Sequence, residues 1–141
     1  MASIFWDTML FIYLIEDHPE FGPKVQDLLS LCEEHGHTIH TSVFTLAELL
    51  VAPRKTGNTE LAAAFREALR PPAVQLIPFS ERTAERYAEI RSLLKIAPAD
   101  AIQLACASDS GVNLFVTNDH RLHGKKVPGI DFIIGLDGKI L

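Results

Sequence analysis

Residues 3–14, with the sequence SIFWDTMLFIYL, place a strand pattern directly before a helix pattern. The first four residues form a short apolar run that stops at Asp7, which predicts a buried strand. The helix that follows would carry the apolar residues Leu10, Ile12, Tyr13 and Leu14. A strand that leads straight into a helix is typical of α/β proteins, in which strands pair in parallel.

Short apolar runs alternate with helix patterns along the rest of the chain. Further strands are predicted at residues 38–43, 73–78, 113–117 and 130–134. Helices are predicted at residues 21–34, from Thr45, at residues 61–69, from Ser80 to about residue 95, and from Pro98 to near Gly111. This order predicts one α/β domain over residues 1–141, with a mainly parallel sheet of four to five strands.

The composition is that of a compact globular domain. A length of 141 residues suits one domain, and 48% hydrophobic with 22% charged residues disfavours disordered and fibrous classes. The formal net charge of -5 argues against a protein that binds phosphate backbones over its whole surface. If four acidic residues held metal, however, the remaining surface would be nearly neutral.

The sequence predicts a cytoplasmic protein without membrane contact. The first basic residue is Lys24, whereas a secretory leader needs early positive charge. The longest unbroken apolar run, residues 9–15, is too short to span a bilayer. Cys32 and Cys106 lie within apolar helical patterns, which favours buried thiols in a reducing compartment over a disulfide.

Four acidic residues are candidates for a metal site: Asp7, Glu48, Asp100 and Asp119. Asp7 and Asp119 each follow a predicted strand, and ligands collect at the carboxyl ends of parallel strands. Glu48 and Asp100 have aliphatic neighbours that should face inward, among them Ala47, so both carboxylates need a partner. No suitable basic residue lies beside them in the sequence, whereas Mg²⁺ or Mn²⁺ would satisfy several carboxylate oxygens at once.

Each of these acids also has a purely structural explanation. Asp7 and Asp119 could hydrogen-bond their own backbone in turns. Glu48 stands three residues after Thr45, in the spacing of a capping box. Asp100 falls in the first turn of the helix that Pro98 begins, where the helix dipole favours negative charge. Local sequence alone does not decide between these interpretations.

The chain resembles a PIN-domain ribonuclease over essentially its whole length. Four motifs carry the resemblance in order: Phe5-Trp6-Asp7-Thr8, Thr45-Leu46-Ala47-Glu48-Leu49, Pro98-Ala99-Asp100-Ala101-Ile102-Gln103-Leu104-Ala105 and Phe115-Val116-Thr117-Asn118-Asp119. The nearest branch is that of the VapC-like toxins of bacterial and archaeal toxin–antitoxin pairs. The resemblance implies a PIN-like three-layer α/β/α sandwich with a central, mainly parallel sheet.

The resemblance also implies the site and its chemistry. Asp7, Glu48, Asp100 and Asp119 would form a pocket that binds Mg²⁺ or Mn²⁺ and catalyses hydrolysis of RNA phosphodiesters. Thr8, Thr117 and Asn118 would support it with polar groups. The chain departs from many relatives at Met9, where a small polar residue is common, and we expect this change to alter the rim of the pocket rather than metal binding.

RNA and protein partners follow from the same resemblance. Arg54, Lys55 and Arg121 come shortly after site acids and are therefore the preferred RNA-binding candidates. VapC-like proteins typically form homodimers and are silenced by a small antitoxin, so both associations are expected here. Two alternatives stay open: a catalytically silent PIN-fold binding module, and a receiver-like signalling domain, which would also carry acids and a Thr at strand ends.

Overall fold

The computed structural model describes residues 1–138 and contains, in that part of the chain, five strands and six α-helices. The strands are β1 (Ser3–Trp6), β2 (Thr38–Ser42), β3 (Val74–Ile77), β4 (Leu114–Val116) and β5 (Phe132–Ile134). The helices are α1 (Thr8–Ile15), α2 (Phe21–His35), α3 (Val43–Thr56), α4 (Thr59–Ala68), α5 (Glu81–Leu93) and α6 (Pro98–Ser110), and a short 3₁₀ turn covers His120–Leu122. Every predicted strand is present, and the ends differ by one or two residues.

The five strands form one parallel sheet in the order β3-β2-β1-β4-β5. Side chains of β1 alternate between its two faces: Ile4 and Trp6 pack into a core cluster with α1 to α4, whereas Phe5 packs into a second cluster with α5 and α6. The sheet therefore lies between two helical layers. This confirms the three-layer α/β/α sandwich.

The start of α3 corrects one sequence interpretation. The helix begins at Val43, and its N-cap is Ser42, whose side chain accepts a hydrogen bond from the Thr45 N–H at 3.0 Å. Thr45 is thus inside the first turn rather than at the cap, and the proposed capping box with Glu48 is wrong. The strand predicted at residues 38–43 therefore ends one residue earlier, because Val43 already lies in α3.

The other helix ends follow their sequence signals. Ser80 caps α5, and Pro98 occupies the first turn of α6. Gly111 ends α6 with φ 72°, a left-handed conformation that favours glycine. Cys32 and Cys106 are free and buried, as predicted. No helix within residues 1–138 is long and apolar enough to cross a membrane.

Strand order places a crevice next to β1. From β1 the chain adds β2 and β3 on one side, and it later adds β4 and β5 on the other. Open α/β sheets bind ligands where the order reverses in this way, beyond the carboxyl ends of the strands. Asp7 directly follows β1 and Thr117 directly follows β4, so both residues lie at this switch point.

Candidate active site

A cavity of about 300 Å³ lies at the switch point and has all four predicted acids in its lining. We call it the acidic pocket and define it by Asp7, Glu48, Asp100 and Asp119. These residues come from the end of β1, from α3, from the first turn of α6 and from the loop after β4. The fold therefore brings together four carboxylates that are far apart in the sequence.

Asp7 is held by two hydrogen bonds. It is the N-cap of α1, where Oδ1 accepts a hydrogen bond from the Thr8 N–H at 2.9 Å. One of its two oxygens therefore makes the local backbone contact that the structural explanation predicted. Oδ2 accepts from Thr117 Oγ1 at 2.6 Å. Burial raises the pKa of Asp7, these two bonds lower it, and the charges of Glu48 and Asp119 raise it further. The net effect is a raised pKa, which shows that negative charge is unfavourable here.

Thr117 links the two acids at the strand ends. Its side chain is fully buried, and while it donates to Asp7 it accepts from the Asp119 N–H at 3.1 Å. Asp119 then begins the 3₁₀ turn, where its Oδ1 accepts from the Arg121 N–H at 3.0 Å. Thr117, which was predicted to support the site, thus connects Asp7 and Asp119 through direct hydrogen bonds.

Arg121 pairs with Asp119, a contact that the sequence interpretation did not include. Its Nε donates to Oδ1 at 3.0 Å and its Nη2 donates to Oδ2 at 2.9 Å, a bidentate arrangement. These hydrogen bonds are the main reason why the pKa of Asp119 is lowered. The sequence missed the pair because the 3₁₀ turn that brings the two side chains together was not predicted.

Glu48 is oriented by side chains from two other helices. Its Oε1 accepts from Thr8 Oγ1 at 2.6 Å and from Gln103 Nε2 at 3.2 Å. Thr8 was predicted to support the site, and the structure gives it this specific contact. Ala47, expected to face inward with Glu48, is exposed instead.

Gln103 is the functional candidate that the sequence interpretation missed. It is 2% exposed, and its Nε2 also donates to Thr8 Oγ1 at 3.0 Å and to Thr45 Oγ1 at 2.7 Å. Its Oε1 accepts a short hydrogen bond from Ser42 Oγ. A signal was available, because Gln103 lies three residues after Asp100 on an otherwise apolar helix, and residues at this spacing share a face.

Asp100 differs from the other three acids in its surroundings. Burial raises its pKa, and the charges of Asp7 and Asp119 add to that effect, while Arg121 opposes it. Among the described residues, hydrogen bonding makes no contribution to this shift. Its carboxylate is therefore the one most open to an external ligand.

The donor set fits a hydrated divalent cation. Within residues 1–138, no group of three or more His, Cys, Asp or Glu side chains is placed so that it could hold a metal ion. The Asp7 carboxylate is hydrogen-bonded to Thr117, and that of Asp119 is paired with Arg121. Mg²⁺ usually keeps several waters and uses only one or two carboxylates, so a closed cage is not required.

The rim explains two further sequence observations. Asn118 lines the acidic pocket, and its Nδ2 donates to the Tyr13 hydroxyl at 3.1 Å, so it braces the rim. Met9 also lines the pocket and is 43% exposed, in agreement with a position at the rim. Arg54 and Lys55 are exposed in the last turn of α3 and are not among the lining residues.

Comparison with solved structures places this fold among toxin–antitoxin proteins. VapBC2 from Rickettsia felis, bound to a DNA fragment from its promoter, is similar with a TM-score of 0.76 and 23% identity, over 94% of this chain and 98% of that chain. A toxin–antitoxin complex from Klebsiella pneumoniae is similar with a TM-score of 0.66 and 26% identity, over 91% and 95%. VapBC-5 from Mycobacterium tuberculosis is similar with a TM-score of 0.61 and 21% identity, over 96% and 99%.

Sequence comparison identifies the family. No curated protein gives a significant match. The model of the PIN domain, however, matches residues 4–127, which include all four acids of the acidic pocket. The match covers most of the chain and agrees with the similarity to the VapBC structures. The protein therefore belongs to the PIN-domain family.

Proposed function

We propose that the protein is a metal-dependent endoribonuclease that hydrolyses RNA phosphodiester bonds and acts as the toxin of a VapBC-type toxin–antitoxin pair. The observation that carries this proposal is the convergence of Asp7, Glu48, Asp100 and Asp119 at the switch point of the sheet. Among the described residues, Arg121 compensates only one of these charges through an ion pair. Concentrated carboxylates of this kind favour a hard divalent cation.

Asp7 and Asp119 would hold Mg²⁺ or Mn²⁺, and Glu48 and Asp100 would complete the coordination or orient water. A bound cation would supply an activated water and offset negative charge on the phosphate oxygens. Thr117 fixes the orientation of Asp7 through its 2.6 Å hydrogen bond. Supporting hydrogen bonds of this type orient metal-binding carboxylates.

Proton transfer during hydrolysis would require side chains that can exchange protons. The raised pKa of Asp100, together with its lack of hydrogen-bond stabilisation among the described residues, suits it to hold or release a proton at its carboxylate. Glu48 is kept in place by Thr8 and Gln103, so its second oxygen, Oε2, is left for water or substrate. Both groups line the same cavity as Asp7.

We further propose an antitoxin partner and a homodimer. Support for the antitoxin comes from the similar structures, which are toxin–antitoxin complexes from three bacteria. The homodimer rests on the resemblance to VapC-like proteins alone. Sedimentation of the purified chain, alone and with the product of an adjacent short reading frame, tests both associations.

The open arrangement of the acids favours one alternative function. Arg121 pairs with Asp119, and no group of three or more His, Cys, Asp or Glu side chains among the described residues could hold a metal ion, which supports a PIN fold that binds without cleaving. Family membership disfavours the receiver-like signalling domain. Cleavage assays separate the binding module from the nuclease.

The decisive experiment is incubation of the purified protein with a mixed cellular RNA pool in Mg²⁺ or Mn²⁺. We expect cleavage that is abolished by EDTA and by Asp100→Asn. Asp27→Asn is the matched control, because it makes the same chemical change at an exposed position of α2 outside the acidic pocket. Absence of cleavage with either metal would contradict the nuclease proposal and favour the binding module.

A further inference from the structure

A second cavity, of about 310 Å³, adjoins the acidic pocket. Asp100 lines both cavities and forms their common wall. The second cavity also has three basic residues in its lining: Lys95, Arg121 and Lys125. We define these three residues as the basic groove. They come from the loop between α5 and α6 and from the segment that begins with the 3₁₀ turn, so the groove is built by tertiary structure.

The charges of the groove are available to a ligand. Lys95 is exposed and Lys125 is half-buried, and neither ammonium takes part in the ion pairs found within residues 1–138. Arg121 uses Nε and Nη2 on Asp119, which holds its guanidinium at the border between the two cavities. Because Arg121 is paired with Asp119, the two lysines supply the uncompensated positive charge of the groove, and this charge favours an anion.

We propose that the basic groove binds a backbone phosphate of single-stranded RNA next to the phosphate that is cleaved, on one side of the cut only. The inference rests on the proposed nuclease function, because it takes the acidic pocket as the cleavage site. A polyanion that crosses the acidic pocket needs neighbouring cations, since the carboxylates repel it. Lysine ammonium groups bind phosphates as point charges, independently of sequence.

The partly buried Ile96 gives this groove an apolar wall beside its lysines. Nucleotides present the weakly polar face of a base near a charged phosphate, so an apolar wall beside lysines suits them. Arg54 and Lys55, the candidates favoured by sequence, line neither cavity. The groove therefore assigns RNA contact to Lys95, which the sequence interpretation did not select, and to Lys125.

The first test measures binding of a short single-stranded RNA in EDTA, where metal-dependent cleavage cannot occur. The variants are Lys95→Gln, Lys125→Gln and, as matched control, Lys126→Gln, an exposed neighbour that does not line the groove. One lost phosphate contact should lower the slope of log affinity against log salt by about 0.7, and weaken binding about fivefold at 0.1 M salt. We expect this for both groove variants and not for the control.

The second test uses RNA in which single phosphates are replaced by neutral methylphosphonates. A neutral linkage adjacent to the cut should slow cleavage by the wild type on one side only, and should have little further effect on the Lys95→Gln, Lys125→Gln double variant. Equal effects on both sides would overturn the assignment.

The outcomes separate the groove from the nuclease function. Metal-dependent cleavage, together with salt slopes for the groove variants that match Lys126→Gln, would refute the groove and leave the nuclease standing. A loss of slope confined to the groove variants would support the groove even where cleavage fails. If a poly-glutamate chain of equal length competes as well as RNA, the groove binds acidic protein segments instead and the RNA assignment is overturned.

Discussion

Thr117→Val tests the central bridge of the acidic pocket. Valine has nearly the same shape as threonine but lacks the hydroxyl that donates to Asp7 and accepts from the Asp119 N–H. The side chain is fully buried, so water cannot replace the missing group without rearrangement. The substitution therefore removes two hydrogen bonds while it leaves the packing almost unchanged.

The expected loss in the free energy of unfolding follows from the two hydrogen bonds of the Thr117 hydroxyl. A hydrogen bond to a charged carboxylate contributes about 1.5–3 kcal/mol, and a neutral one about 0.5–1.5 kcal/mol. We expect Thr117→Val to lower the free energy of unfolding at pH 7 by about 2–4 kcal/mol. Thr117→Ser keeps the hydroxyl and loses one buried methyl group, at a cost of about 1 kcal/mol.

Urea unfolding in EDTA, followed by the fluorescence of the single buried Trp6, measures both variants. The cost of Thr117→Val should shrink as the pH falls, because protonation of Asp7 turns the charged bond into a neutral one. If Thr117→Val is as stable as Thr117→Ser at pH 7, the bridge does not contribute as argued. A cost independent of pH would refute the part assigned to the Asp7 charge.

Other predictions concern the remaining polar groups. Gln103→Leu should destabilise the protein by about 2–3 kcal/mol in urea unfolding, since buried hydroxyls lose their partner, and it should slow cleavage through misplacement of Glu48. Asp100→Asn should raise the thermal unfolding midpoint of the metal-free protein at pH 7, because burial and neighbouring carboxylates oppose its charge; a lower midpoint would contradict this. The raised pKa values of Asp7 and Asp100 mean that the folded state binds these protons more tightly than the unfolded chain. The stabilising contribution of these two groups to the metal-free protein should therefore be lost as pH rises above their ordinary value of 3.8, while metal-dependent cleavage rises. Urea midpoints of the wild type against Asp100→Asn, and initial rates across that range, would show this. Arg121→Gln should raise the pKa of Asp119 in a carboxyl NMR titration, since the ion pair holds it low; an unchanged value would show that the pair is not formed in solution.

Strands and their ends could be predicted from sequence because local signals specify them. The run from Ser3 to Trp6 packs on both faces of the sheet, so it reads as a continuous apolar segment, and Asp7 follows where the strand ends. Strand order then places Asp7 beside the residues that follow β4. The convergence of the four acids could therefore be predicted from the strand pattern, the parallel topology and the resemblance to PIN domains together.

Side-chain partners could not be predicted in the same way. The contacts of Gln103 join α6 to residues that are 55 to 95 positions away along the chain. The pairing of Arg121 with Asp119 is local, but it depends on a 3₁₀ turn for which the sequence gave no distinct signal. Hydrogen-bond geometry of this kind is fixed by tertiary packing rather than by periodicity.

The polar network explains how the fold tolerates four carboxylates in one pocket. Thr117 stabilises Asp7, Arg121 stabilises Asp119, and Thr8 with Gln103 stabilises Glu48. Asp100 receives no such hydrogen bond among the described residues, and the charge of Arg121 opposes the rise in its pKa. A cation held as proposed by Asp7 and Asp119 would also lie near Asp100, which forms the wall shared with the basic groove. Metal binding would therefore remove the repulsion nearest to the path proposed for RNA, so that the cation promotes both substrate binding and hydrolysis.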